Sequence, residues 1–322
     1  MHAVVLREFG PAQNLRYETV PDPEPGPGQV RIAVRAAGVH FIETVMRAGA
    51  ASDLTPPLPE LPAIFGGEVA GVVDAVGPGV DGSWLGRSVV TGSGTPGGYA
   101  ELAVAAVEQV HPLPDGLGFQ DAVAMVVTGA TAVGLLDIAR LTADDVVLVT
   151  SAAGGVGRLV VQHALAVGAT VVGAAGGAAK ADAVRKLGAE AVDYREDGWD
   201  DAVRELLGGE QRPVTVVLDG VGGPLAATAF ELVGDGGRFV SIGSASQIAF
   251  TPAASDRVRY VNALRALLNR PEDRPGHELR ALAAGAHGDL VPAVQSFPLS
   301  HAAEVHAALE RRETTGKVVL VP

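Results

Sequence analysis

Apolar and polar positions alternate along residues 30–36, the two-residue period of a strand with one face buried. Residues 69–76 are rich in valine and run into the turn Gly77-Pro78-Gly79, and residues 88–91 read as another strand. Two loops are punctuated by proline, one at Pro21, Pro23, Pro25 and Pro27, the other at Pro56, Pro57, Pro59 and Pro62. Short strands joined by Gly/Pro turns predict a compact all-β or barrel-like unit over the first third. The pattern changes near Phe119. Residues 120–139 have helical spacing and few breakers. Strands are then predicted at 146–150, 170–174, 191–193, 214–219 and 238–242, alternating with helices at 156–167, 179–187 and 200–207. That alternation predicts an α/β fold with a parallel, doubly wound sheet. The closing stretch 298–322 reads as a helix (302–310) and a strand (317–321).

The window 159–179 carries no formal charge and is long enough on paper to span a bilayer. Gln162, His163 and Thr170 interrupt it, as do Gly168, Gly173, Gly176 and Gly177, so it reads as helix, turn and strand of a buried core. The 322 residues are 48% hydrophobic and only 19% charged, which argues against disorder and fits about two domains. Lysine and arginine number 24 against 37 acids, a net charge of −13. That balance disfavours nonspecific nucleic-acid or anionic-membrane binding. There is no cysteine, so disulfides and thiolate-built zinc sites are excluded. Residues 1–13 show neither a long apolar stretch nor a small-residue cleavage site, and a soluble cytoplasmic protein is expected.

The candidate chemistry begins at Val146–Thr150, a continuous apolar strand running into Ser151-Ala152-Ala153-Gly154-Gly155-Val156-Gly157 and then a helix. Against G-x-G-x-x-G, Ala152 takes the first glycine position, with Gly154 and Gly157 at the others. Gly154 lets the backbone approach a pyrophosphate, Gly157 lets the helix pack close to the strand, and the helix N-terminus offers unpaired N–H groups to the anion. Strand before and helix after are the context that this motif needs, so a dinucleotide site is expected ahead of a plain turn. An NAD enzyme usually carries an acid about 20 residues past the fingerprint. Residues 173–179 contain none, and Lys180 is the first charge. An acid there would repel a 2′-phosphate and a cation would accept it, so NADPH is favoured over NADH. The other reading of Lys180 is a solvated residue at a helix start.

With Gly38-Val39-His40-Phe41-Ile42-Glu43-Thr44, Phe65-Gly66-Gly67-Glu68-Val69-Ala70-Gly71-Val72-Val73, Val192-Asp193-Tyr194 and Thr315-Gly316-Lys317-Val318-Val319-Leu320 added, the chain resembles the zinc-independent quinone oxidoreductase group of the medium-chain dehydrogenase/reductase superfamily over nearly its whole length. The resemblance implies a GroES-like catalytic domain made from both chain ends (1–118 and 271–322), a Rossmann domain between (119–270), and an active site in the cleft. It implies that Gly155 and Val156 join the glycines in the cradle, and that Gly177, Lys180 and Tyr194 hold the 2′-phosphate region. Ile242, Gly243 and Ser244 would lie near the nicotinamide, and Thr131 near the cofactor. Homodimers or homotetramers are implied; that no nucleic-acid or membrane partner is expected follows from the net charge of −13. Zinc-dependent relatives place cysteine near position 40, histidine near 67 and another cysteine in the following helix; here stand His40 and Gly67. The four-cysteine loop is missing, with residues 81–98 in its stead. Catalytic zinc takes three protein ligands, and only His40 and Glu68 remain as candidates, so no metal is expected. A tyrosine common in the group after Arg-x-Gly is absent, since Ala50-Ala51 follows Arg47-Ala48-Gly49.

The activity implied is NADPH-dependent reduction of quinones or α,β-unsaturated carbonyl compounds. Both acceptors need donors aimed at the developing oxyanion, and both take up a proton. His40 reads either as that proton source or as the filler of a slot where relatives have Asn. Glu43 is the second catalytic candidate, and reads more readily as a structural hydrogen-bonding residue. The alternatives are an NADPH-binding sensor with little catalysis and a specialised pathway enoyl reductase. His163 is expected to pack in its helix, and His277, His287, His301 and His306 to lie at the surface. Arg257, Arg259, Arg265 and Arg270, partly offset by Asp256, Glu272 and Asp273, are expected on a solvated or subunit-interface helix.

Overall fold

The computed structural model describes residues 1–50, 57–92, 97–209, 212–253 and 256–322. Ala51, Pro56 and residues 93–96 of the 81–98 segment lie outside that set. In the N-terminal part, β1 (His2–Leu6) pairs antiparallel with β2 (Leu15–Thr19) and with β4 (Ala63–Ile64) in a three-stranded sheet. β3 (Gln29–Val39) is the organising strand of a second sheet. One of its edges meets β5 (Val69–Val76), which pairs on with β6 (Ser88–Thr91) and then β8 (Val110–Pro112). The other edge meets β7 (Leu102–Ala106) along its first half. Val30, Ile32 and Val34 alternate inward, as their period predicts, into a core with Val69, Val73, Val89 and Tyr99. Trp84, with the Arg87 guanidinium 5.3 Å from its ring centre, packs at the edge of this core.

The first third is not all β. α1 (Phe41–Arg47) follows β3 at once, because His40 and Glu43 form a capping box that satisfies the first N–H groups of the helix. Further on, helix runs through α2 (Phe119–Val123), a π-helical turn (Ala124–Gly129) and α3 (Ala130–Ala139). This stretch, Phe119–Ala139, is the one helix among the described residues long and apolar enough to cross a membrane by length and composition, and it is largely buried, as a core helix is.

β9 (Val146–Thr150), α4 (Gly155–Ala166), β10 (Thr170–Ala175), α5 (Ala178–Arg185), β11 (Glu190–Asp193), α6 (Trp199–Leu206), β12 (Val214–Asp219), α7 (Gly223–Glu231), β13 (Val233–Ser241), β14 (Arg259–Asn262) and α8 (Ala263–Leu268) follow. The six strands are all parallel in the order β11-β10-β9-β12-β13-β14. Successive residues of β9 enter opposite cores. Val147 and Val149 join Val160 and Val161 of α4, whereas Val146 and Leu148 join Trp199 and Val203 of α6. Both faces are covered, which is why these strands read as unbroken apolar runs. The uncharged window 159–179 is the end of α4, a turn and β10.

The chain ends with α9 (Arg274–His287), β15 (Val294–Pro298), α10 (Ala302–Glu310) and β16 (Lys317–Val321). β16 lies parallel to β15 and antiparallel to the last residues of β3. Residues 1–128 and 278–322 form one unit and residues 129–277 the other. Two expectations are corrected. Arg257, Arg259 and Arg265 do not share a helix, since Arg259 opens β14 and Arg265 belongs to α8. His306 is not at the surface; it points from α10 into the first unit's core and is fully buried. His277, too, is largely buried, beside Asp137.

Candidate active site

In the second unit, β9 ends at Thr150 and the chain turns through Ser151, whose φ of 57° is left-handed. Gly154 then caps α4 in an extended conformation with no side chain on the first N–H groups, which leaves the helix start to face an anion. Gly157 is required sterically. A Cβ there would lie 2.3 Å from the Ser151 carbonyl oxygen. Gly155 and Val156 form the first turn between them, half-buried. The turn, the bare cap and the close approach fit a pyrophosphate at this place.

Across the switch in strand order, β9 and β12 are tied together. Thr150 Oγ1 donates to Asp219 Oδ1 at 2.6 Å and accepts from Gly220 N at 3.0 Å. The Asp219 carboxylate also accepts from Val221 N and Gly222 N. Burial pushes its pKa up against these hydrogen bonds. Ile242 N donates to the Asp219 carbonyl at 2.8 Å, and Gly243 packs on Gly220 so closely that a Cβ would come within 3.2 Å of its oxygen. Ser244 donates to the Ile248 carbonyl. Ile242, Gly243 and Ser244 therefore gather at the end of the sheet held by Thr150 and Asp219. Sequence reasoning missed those two; their only signal was to close the two strands at the switch. Thr131 stands in the first turn of α3, half-buried.

At the end of β10, Gly177 caps α5 with φ +106° and gives its N–H to Asp193 Oδ1 at 2.8 Å. Arg195 N donates to the same oxygen at 3.0 Å. The Tyr194 hydroxyl lies over Gly176, 2.8 Å from where a Cβ would sit. Lys180 follows one turn into α5, its N–H on the Gly177 carbonyl. Gly177, Lys180 and Tyr194 thus come together. Arg195, which the sequence reading passed over, joins them with Nη1 beside Gly177.

In the first unit, strand register assembles a charged trio. β16 pairs Val318 with Val39, which sets Lys317 beside His40. β5 pairs Val69 with Ala37, which sets Glu68 beside Gly38. A Cβ on Gly38 would fall 1.8 Å from Glu68 Oε1, so glycine makes room for the carboxylate. Glu68 Oε1 lies 3.0 Å from His40 Nε2 and is in ion-pair contact with Lys317 Nζ. Lys317 Nζ also lies 3.3 Å from His40 Nε2 and 3.5 Å from Nδ1. Glu68 is wholly buried and Lys317 is 5% exposed, whereas the His40 side chain is 22% exposed. Burial pushes the Glu68 carboxyl up, but the charges of His40 and Lys317 outweigh it and bring it to about 2. Lys317 brings a positive charge against both side chains that were counted as zinc-capable, and a second cation there would meet its repulsion.

Behind the trio lies a buried polar layer. Glu43 accepts from His40 N at 2.8 Å, Gly66 N at 3.0 Å and the Tyr99 hydroxyl at 2.7 Å. Its carboxylate is engaged by the fold on every side shown. Burial raises the Tyr99 pKa, and the neighbouring Glu43 charge adds to it. Tyr99 also contacts His306 Nε2 at 3.2 Å. Burial, with Arg47 nearby, pushes His306 down to about 3. Arg47 is itself buried and pairs with Glu310.

Residues 26–115 match the family described as alcohol dehydrogenase GroES-like domain, and residues 155–276 the family described as zinc-binding dehydrogenase. The chain is 35% identical over 326 residues to a quinone oxidoreductase of Pseudomonas aeruginosa, covering 98% of this chain and 97% of that one. It is 32% identical over 342 residues to a 2-haloacrylate reductase of a Burkholderia species, covering 100% and 99%. The crystal structure of Escherichia coli quinone oxidoreductase complexed with NADPH superposes with a TM-score of 0.86 at 28% identity, over 100% of both chains.

Proposed function

As the chain belongs to the quinone oxidoreductase group of the medium-chain dehydrogenase/reductase superfamily, we propose that it is an NADPH-dependent oxidoreductase that reduces quinones or α,β-unsaturated carbonyl compounds. The observation that carries this reading is the cradle Gly154–Gly157 facing one sheet end together with the cationic pair Lys180 and Arg195. The relative named 2-haloacrylate reductase supports an activated carbon–carbon double bond as a second kind of acceptor. Bound NADPH supplies the hydride.

The chain's residues supply the rest. Gly155, Val156 and Gly157 receive the pyrophosphate at the N–H groups of the helix start, and Gly154, whose own N–H is taken by the Ser151 carbonyl, lets the backbone approach it. Lys180, Tyr194 and Arg195, around Gly177, receive the 2′-phosphate. Ile242, Gly243, Ser244 and Thr131 line the cofactor. Reduction by two electrons takes one proton for each hydride. His40 provides it: its N–H bond breaks, a bond to the acceptor forms, and the ring regains a proton from water. Glu43 acts through His40, by holding its backbone N–H. Assembly as a homodimer or homotetramer and a cytoplasmic location belong to the same proposal. β14, an outer strand of its sheet with β13 as described neighbour, offers an edge for the former.

The test follows NADPH absorbance, with NADH in parallel, against a small benzoquinone, a naphthoquinone, an aliphatic enone and a simple ketone. Turnover with NADPH and the conjugated acceptors, but not the ketone, is expected. Tight NADPH binding without turnover would shift the reading to a cofactor sensor, or to a pathway enoyl reductase whose acceptor the panel lacks.

A further inference from the structure

We propose that Lys317 is a positioning residue for proton transfer, acting through His40. The inference rests on the reading of His40 as proton donor. A lysine ammonium is rarely buried, because leaving water costs it heavily unless charge and geometry compensate. Here it is buried, paired with a wholly buried carboxylate, at the start of a strand that continues as Val318, Val319 and Leu320. A buried ion pair is weak evidence for stability, since apolar side chains of similar size commonly serve a fold as well. What this pair does is grip one ring. Glu68 Oε1 stands at Nε2, and Lys317 Nζ lies within 3.5 Å of both nitrogens. Glu43, on the ring's own helix, holds the backbone N–H. The imidazole is thus fixed at its root and at one edge of its ring, where the two charged groups meet, and its side chain stays 22% exposed. Opposite charges on Glu68 and Lys317 leave no net charge beside it. The ring keeps one presentation through repeated loss and recovery of its proton.

Four variants test this: K317M, K317R, H40A and K317M/H40A. NADPH affinity is read by fluorescence titration, and kcat and KM with a benzoquinone and an aliphatic enone. K317M is expected to lower kcat about tenfold, part of the range that a positioned proton donor supplies. NADPH affinity and acceptor KM should stay near wild type, and K317R should recover most of the rate. K317M/H40A should be no slower than H40A. Equal slowing by K317M in the wild-type and H40A backgrounds would overturn the proposal, as would an unchanged kcat in K317M. A wild-type rate in H40A would instead sink the reading of His40 itself, and this inference with it. If K317M fails to bind NADPH, E68Q/K317M takes its place, because it leaves no charge unpaired. The same loss of kcat is expected there, and a wild-type rate would overturn the proposal.

Discussion

Lys317 and Glu68 approach His40 from opposite flanks of β3, one from β16 and the other from the residue before β5, and their charges meet beside the bare Cα of Gly38. The register of two strand pairs, more than any local motif, creates this contact. It makes Gly38 the residue that the trio can least spare.

Gly38→Ala would place a methyl group inside the Glu68 carboxylate. The cost expected is that of an overpacked core, about 1–3 kcal/mol of stability. With the cofactor held by the other unit, as proposed, NADPH affinity should be kept while kcat falls. Calorimetry alongside NADPH titration checks this; a variant with full turnover and an unchanged melting point would refute it.

Lys180→Ala and Arg195→Ala should each weaken NADPH binding roughly tenfold, the worth of one charged hydrogen bond, and leave NADH binding unchanged. Only NADPH carries the 2′-phosphate. Isothermal titration with both cofactors measures the ratio, and an equal loss for both would remove these residues from phosphate recognition.

Gly157→Ala forces a Cβ to 2.3 Å from the Ser151 carbonyl. α4 would have to move off the turn, and dinucleotide affinity should fall below detection in the same titration. Near-normal binding would show that this close approach is not needed.

His306 makes stability depend on acid. Its folded pKa, about 3, lies below the ordinary 6.5, so the fold favours the neutral ring. The stability this gives is complete above pH 6.5 and is lost as pH falls toward 3. Glu68 adds a second loss, since its contribution is complete above 4.5 and disappears as pH falls toward 2. His306→Gln should be about 1 kcal/mol less stable at neutral pH through the lost Tyr99 contact. Its urea midpoint should then decline less steeply than wild type between pH 6.5 and 4. Parallel curves would show that His306 is not the group titrating.

The cradle was legible because its information is local: strand, glycines and helix follow one another from Val146 to Ala166. Lys180 was singled out by its position after the cradle, and Tyr194 only through the family resemblance. His40, Glu43 and Glu68 were each singled out, but Lys317, which ties Glu68 to the ring, was not. Lys317 lies 277 residues away and reads as one cation in a closing strand. Only the pairing of β16 with β3 assigns it a role. The burial of His306 escaped for a related reason. His301 and His306, five apart, show no shared helical face, and the packing of α10 decides which side is inward. Arg195 was overlooked because its approach to Gly177 depends on β10 and β11 being neighbours. Thr150 and Asp219 looked like ordinary strand ends until the strand order set them side by side.

The chain has two tryptophans, Trp84 at the edge of the core in the first unit and Trp199 against the sheet of the second. Each unit thereby carries its own intrinsic fluorophore. With one indole replaced by phenylalanine, the emission that remains follows the melting of a single unit. Two such curves that coincide would describe one cooperative transition. Two that separate would mean that no single unfolding free energy belongs to this enzyme, and that damage at the trio and damage at the cradle should be scored on different scales.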